Sequence, residues 1–175
     1  MVTPRTHLML GGARSGKTRR ALKLARAQPR RVYLATAEAL DEEMRLRITR
    51  HQSERDSTWK TIEEPLDLAG ALVGADRAET AIVIDCLTVW LSNLMHAERD
   101  IDAATGSLTA AIAATEATLI FVSNEVGLGI VPDNALARAF RDAQGRLNQD
   151  IAAAVDHVDF VAAGLALNLK PGVRP

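Results

Sequence analysis

Gly11-Gly12-Ala13-Arg14-Ser15-Gly16-Lys17-Thr18 carries the spacing G-x-x-x-x-G-K-[ST] in full. Glycines in such a run let backbone N–H groups turn inward around phosphate oxygens, and a helix starting at the lysine adds partial positive charge. In that arrangement Lys17 reaches the outer phosphates of a nucleoside triphosphate, and the Thr18 hydroxyl joins the coordination of Mg²⁺. The flanks agree: His7-Leu8-Met9-Leu10 reads as a strand leading in, and Thr18-Arg19-Arg20-Ala21-Leu22-Lys23-Leu24-Ala25 as a helix leading out. A glycine turn that binds nothing would not call for the lysine, the hydroxyl and both flanks together.

A second acidic element belongs at the end of a neighbouring strand. Ala81-Ile82-Val83-Ile84-Asp85 supplies one. A carboxylate at the tip of a buried strand is costly unless paired or metal-linked. Asp85 therefore reads as part of the Mg²⁺ shell, directly or through water. Capping the helix that follows is the alternative, and the two roles are compatible. The third candidate is His51. If residues 41–51 are helical, Met44, Ile48 and His51 share one face, with Arg50 and Arg55 close by in sequence. A neutral imidazole can attack phosphorus, and guanidinium groups can stabilise the charge that develops. The same position on an apolar stripe equally suits a packing histidine, and the residues by themselves favour packing.

These groups need a frame. Strands are expected at His7–Leu10, Arg31–Ala35, Ala81–Ile84, Thr118–Val122 and His157–Ala162. Helices are expected at Lys17–Ala27, Asp41–His51, Thr88–His96, Leu108–Thr115 and Asn134–Val155. Alternation of helices with nearly continuous apolar, β-branched strands indicates an α/β fold: a P-loop NTPase-type three-layer architecture with a mostly parallel central sheet. Trp59–Ile62 fits either a further strand or a surface crossing. Lys170–Pro175 reads as a frayed tail. Without a fixed-period repeat or a low-complexity linker, residues 1–175 are expected to form one domain.

Composition narrows the partners. Of 175 residues, 47% are hydrophobic, 25% charged and only 3% aromatic, so the core must be mostly Ala, Leu, Val and Ile. The net charge of −1 comes with no dense Lys/Arg block, which argues against nucleic acid as the main partner. Cys86 is the one cysteine, so no intramolecular disulfide forms; it reads as a small hydrophobe. No secretion-signal pattern opens the chain, and no apolar run approaches the roughly 20 residues of a membrane span, so a cytoplasmic location is expected. His7, His96 and His157 are separated and lack metal-ligand spacing. Trp59 and Trp90 read as packing residues.

Absent motifs exclude one subclass. A switch GTPase needs Asp-x-x-Gly after its second acidic strand and a later Asn-Lys-x-Asp. Here Asp85 is followed by Cys86-Leu87-Thr88, and the late asparagine reads Asn124-Glu125-Val126-Gly127. Small-molecule kinases and nucleotidyltransferases remain.

Taken together, the motifs resemble the bifunctional adenosylcobinamide kinase / adenosylcobinamide-phosphate guanylyltransferase family. The resemblance runs through Gly11–Thr18, Ala35-Thr36-Ala37, Asp41-Glu42-Glu43-Met44 with Arg47-Ile48 and His51, then Trp59, Thr61 and Glu63. It continues through Asp85-Cys86-Leu87-Thr88-Val89-Trp90 with Asn93-Leu94, then Ser123 to Pro132, and ends on Arg138, Phe140-Arg141-Asp142 and Gly145-Arg146-Leu147-Asn148-Gln149. Asn124-Glu125-Val126-Gly127 is the most discriminating block. Residues 97–116 match poorly and receive no role.

The resemblance implies two reactions: γ-phosphoryl transfer from ATP or GTP to the aminopropanol hydroxyl of adenosylcobinamide, then transfer of GMP from GTP through a guanylylated histidine. That histidine falls on His51. Nucleotide contacts fall on the loop, on Ala35, Thr36 and Ala37, on Gln52, Ser53, Glu54 and Arg55, and on Glu63 and Asp85. Glu63 would accept hydrogen bonds from the guanine N1 and N2 donors, although on its own it reads as a solvated charge. A homo-oligomer, a trimer in the family, is implied. Arg50 stands where some members carry a second histidine, and Thr18 replaces the commoner serine while keeping the hydroxyl. For Arg14, a phosphate or corrinoid contact and a solvent-facing loop position both fit. For Glu125, an acceptor-site role and a turn carboxylate both fit.

Overall fold

The structure, a computed structural model, describes residues 5–37 and 56–171. Its strands are β1 (Thr6–Gly11), β2 (Arg30–Ala35), β3 (Trp59–Glu63), β4 (Thr80–Asp85), β5 (Thr118–Asn124), β6 (His157–Ala162) and β7 (Leu165–Pro171). They form one seven-stranded sheet in the order β3-β2-β4-β5-β1-β6-β7. Every neighbouring pair is parallel except β6 with β7. The central strands are apolar on both faces because both are covered, as parallel strands require.

On one face, α1 (Lys17–Ala25) packs Ala21, Leu22 and Ala25 against Met9, Tyr33, Val83, Ile120 and Val122. The other face is covered by α2 (Leu68–Ala75), α3 (Leu87–His96), α4 (Ile101–Ala114) and α5 (Ala135–Ala154). Among the described residues three layers result: one helix, the sheet, four helices. Trp90, Leu91, Leu94, Leu108, Leu147 and Ile151 fill the second interface. Truncating any of these leucines to alanine should cost about 2–5 kcal/mol.

Helix starts follow local chemistry. The carboxylates of Asp67 and Asp100 and the amide of Asn134 each accept from a backbone N–H three residues on, opening α2, α4 and α5. The expected Asn134–Val155 helix is thus Ala135–Ala154 with Asn134 as its cap. Helix α4 begins at Ile101, well before the expected Leu108, because Asp100 caps it while its Ala/Thr/Gly face carries little periodicity. The expected helix at 41–51 lies outside the described residues.

One expectation is corrected. Lys170 and Pro171 do not fray; they end β7, which pairs antiparallel with β6 through a two-residue turn at Ala163 and Gly164, both with φ positive. Lys170 is held there because its Nζ donates to the last carbonyls of α5, Ala152 at 2.9 Å and Ala153 at 3.1 Å. A cation at a helix C-terminus is stabilised by the helix dipole. Trp59–Glu63 is a true strand, edging the sheet beside β2. Among the described residues, no helix is long and apolar enough to cross a membrane.

Candidate nucleotide site

The loop from Gly11 to Lys17 joins the C-terminal end of β1 to α1, where open α/β sheets bind ligands. Two glycines are demanded by geometry. Gly11 has φ +148°, and a Cβ there would lie 2.1 Å from the Val161 carbonyl oxygen. Gly16 has φ +101°, and its Cβ would meet the Gly164 Cα at 3.3 Å. The loop is pressed against the β6–β7 hairpin, whose Gly164 N–H donates to the Ser15 carbonyl at 2.8 Å.

Lys17 opens α1 and is buried. Its Nζ donates to the Gly11 and Gly12 carbonyls at 2.8 and 2.6 Å, across the mouth of the loop. Burial pulls its ammonium below the usual lysine range, with Asp85 nearby opposing the shift. The Thr18 hydroxyl donates to Asp85 Oδ2 at 2.8 Å. The two residues expected to share a cation therefore meet. Asp85 is not a helix cap: Cys86 occupies that position and makes no side-chain cap bond. A hydroxyl and a carboxylate oxygen this close are hard oxygen donors of the kind Mg²⁺ takes alongside phosphate oxygens. The residues present fit that ion.

Beside Asp85, burial pushes the Cys86 thiol up to about 11, so it stays a protonated, inert packing group. Thr36, fully buried, clasps the same turn: its Oγ1 donates to the Cys86 carbonyl at 2.9 Å and accepts from the Cys86 N–H at 2.9 Å.

The remaining expected contacts form a second region. Ala35 ends β2, with Thr36 and Ala37 following, and Glu63 is Ala35's partner at the end of β3. Glu63 is exposed. Four strand spacings separate β3 from β1, on the order of 19 Å. From α3, Asn93 Nδ2 donates to the Thr36 and Pro65 carbonyls at 2.8 and 3.1 Å, and Trp90 Nε1 to Leu66 O at 2.8 Å. Trp90, 1% exposed, is a packing residue. His51, Gln52, Ser53, Glu54 and Arg55 lie outside the described residues.

Against known proteins, the family model described as cobinamide kinase / cobinamide phosphate guanyltransferase matches residues 7–169. The chain belongs to this family. It is 43% identical over 166 residues to the bifunctional adenosylcobalamin biosynthesis protein CobP of Pseudomonas aeruginosa, covering 93% of this chain and 96% of the relative. It is 41% identical over 181 residues to the bifunctional adenosylcobalamin biosynthesis protein CobU of Salmonella typhimurium, covering 93% and 98%. Among solved structures, a prototypical ATPase from the type III secretion system of pathogenic bacteria aligns with a TM-score of 0.55 at 8% identity, over 94% of this chain and 56% of that one. That likeness concerns the fold, an α/β architecture with a mostly parallel sheet.

The fold also brings together residues that the motifs do not link. Tyr33 OH donates to Asp85 Oδ2 at 2.8 Å, reaching the same oxygen as Thr18. An aromatic within an apolar strand gives no linear cue to a partner 52 residues away. A buried amide network pins the tip of β5: Ser123 Oγ donates to Asn148 Oδ1 at 2.7 Å, and Gln144 Nε2 donates to both at 3.0 Å. Gln144 and Asn148 stand at i and i+4 on α5, a spacing visible in the sequence. His7 and His157, distant in sequence, are register partners on β1 and β6 with ring centroids 5.3 Å apart. Glu125 Oε1 accepts from the Gly127 N–H, as a turn carboxylate does. Arg14 is exposed, with φ 55°. A cavity of about 240 Å³ between α4 and α5, at Arg99, Asp102, Arg146 and Asp150, shares no residue with this site.

Proposed function

We propose that this chain phosphorylates the aminopropanol hydroxyl of adenosylcobinamide, then moves GMP from GTP onto the new phosphate to give adenosyl-GDP-cobinamide. The family match over residues 7–169 carries the reading. The 2.8 Å contact between Thr18 and Asp85 supports its phosphoryl-transfer half.

In the first reaction the corrinoid hydroxyl attacks the γ-phosphorus of ATP or GTP, loses its proton and releases the nucleoside diphosphate. Backbone N–H groups of Gly11–Thr18 bind the phosphates, and Lys17 turns from the loop carbonyls to the outer phosphate oxygens. Thr18 and Asp85 would hold Mg²⁺, which when bound neutralises charge on the β- and γ-phosphates. In the second reaction an imidazole nitrogen of His51 attacks the α-phosphorus of GTP and pyrophosphate leaves. The corrinoid phosphate then attacks that phosphorus, the N–P bond breaks and His51 is restored.

Glu63 accepts from guanine N1 and N2 in this reading. Ala35, Thr36, Ala37, Gln52, Ser53, Glu54 and Arg55 line the nucleotide. Residues 1–175 act as one cytoplasmic transferase domain, in a homo-oligomer, a trimer by family resemblance.

The test is incubation with α-³²P-GTP and Mg²⁺, acid and alkali treatment, and peptide mapping. An acid-labile, alkali-stable GMP adduct on the peptide containing His51 is expected. Absence of any adduct on folded, nucleotide-binding protein would reject guanylyl transfer.

A further inference from the structure

Strand order places β5 between β1, which carries the phosphate loop, and β4, which carries Asp85. The tip of β5 is therefore a wall of the phosphate site. Side chains alternate between faces along a strand. Ser123 faces α5, where it bonds to Gln144 and Asn148. Asn124 accordingly faces the α1 side, with Ile120 and Val122 below it, the side on which Asp85 meets Thr18. In register, Asn124 pairs with Gly11, while Asp85 pairs with Val122 two residues lower. Strand spacing and rise then separate the Asn124 and Asp85 backbones by on the order of 8 Å, a gap of phosphate size.

The backbone of Asn124 is held on three sides. Its N–H donates to Thr88 Oγ1 at 2.9 Å. Its carbonyl takes the Asn148 amide at 3.1 Å, and the next N–H, of Glu125, donates to the Gly11 carbonyl at 3.1 Å. Its half-buried carboxamide, by contrast, has no hydrogen-bond partner among the described residues. A rigidly mounted amide with an uncommitted donor, beside Gly11 and on the face of Lys17 and Asp85, is suited to read an anion.

We infer that the Asn124 carboxamide contacts the terminal phosphate of the bound triphosphate, its Nδ2 donating to a γ-phosphate oxygen. Asn124 is thus a residue by which the site tells a triphosphate from a diphosphate. This rests on the phosphate-loop reading of Gly11–Thr18.

The experiment is calorimetric titration of wild type, Asn124→Ala and Asn124→Asp with the β,γ-imido analogue of GTP and with GDP, both with Mg²⁺. In Asn124→Ala, affinity for the triphosphate analogue should fall about tenfold while GDP affinity stays unchanged, since a hydrogen bond to a charged group is lost. Asn124→Asp keeps the shape but sets a carboxylate against the phosphate, and its loss for the analogue should be larger. If both variants remain folded by circular dichroism and weaken the two nucleotides equally, or neither, the inference is overturned. Lys17→Ala separates this from the underlying reading: if it leaves affinity for both nucleotides intact, the phosphate-loop assignment itself falls.

Discussion

The two regions of the site are built differently. At the phosphate end, β1, β4 and β5 lie side by side, and each functional group there is tied to another: Lys17 to the loop carbonyls, Thr18 and Tyr33 to Asp85, Asn124 by its backbone to Thr88 and Asn148. At the β2–β3 edge the ties fall on the backbone of the strand exits, through Thr36, Asn93 and Trp90, and the expected contact Glu63 is exposed. The first region is prearranged for a charged group that is the same in every triphosphate. The second presents the C-terminal ends of the parallel strands β2 and β3, with Ala35 paired to Glu63. A site with two chemistries can in this way share its phosphate anchor and separate its reacting groups.

That comparison breaks or holds on two substitutions with opposite reach. His51→Ala should abolish the acid-labile GMP adduct while ATP-driven phosphorylation of adenosylcobinamide continues, read by parallel assays on one preparation. An adduct that survives would move the nucleophile elsewhere. Lys17→Ala should depress both reactions, by roughly 10²–10³-fold, because it removes the buried ammonium at the loop on which both transfers are expected to draw. Normal phosphorylation in Lys17→Ala would mean that the two regions share no anchor.

How much of this was legible follows the same division. The loop could be read because G-x-x-x-x-G-K-[ST] is a local pattern whose strand and helix flanks are local too. Asp85 could be read because a charge ends an apolar run. Tyr33, by contrast, meets Asp85 only when β2 is laid against β4, and Asn124 comes beside Gly11 only when β5 is inserted between β4 and β1. Nothing along the chain announces strand order. Helix α2 was hidden because Leu-Ala-Gly-Ala-Leu-Val-Gly-Ala has no polar face to mark a period, although Asp67 signals its start. Strand β7 was missed, its last two residues read as tail and the rest left unassigned, yet Gly164 followed by alternating leucines at 165, 167 and 169 carried its period. For His51 the residues alone favoured packing, and only the family resemblance reversed that.

A finer cut within the phosphate end separates binding from turnover. Asp85→Asn preserves the shape and an acceptor for Thr18 and Tyr33 but removes the charge. Turnover at limiting Mg²⁺ should fall about 10–100-fold, with nucleotide affinity in the absence of Mg²⁺ changing far less. Steady-state kinetics across a Mg²⁺ series decides it; an unchanged profile would make Asp85 a purely structural partner of Thr18.

The smallest effect belongs to a carboxylate at the opposite end of the sheet, and it tests whether tight wiring by itself signifies function. Asp76 precedes β4 and accepts from the Thr115 hydroxyl at 2.9 Å and from the Glu116 and Ala117 N–H groups at 3.1 and 2.8 Å. Partial burial would raise its pKa, but these three donors together outweigh burial and hold it below its ordinary 3.8. A carboxylate with a depressed folded-state pKa stabilises the fold fully above its unfolded value, and that contribution is lost as pH falls through the folded value. Asp76→Asn should therefore lower the thermal midpoint at pH 7 by a few degrees, about 1 kcal/mol. The gap to wild type should narrow once pH falls below the ordinary 3.8 and close as the wild-type carboxylate protonates in the folded state. Both transfer activities should be untouched, because no expected site residue lies near it. Melting curves at pH 7 and pH 3, with activity at pH 7, carry the comparison. A loss of turnover without a loss of stability would show that the far end of the sheet is coupled to the site, and hydrogen-bond density alone would then be a poor guide to where the chemistry sits.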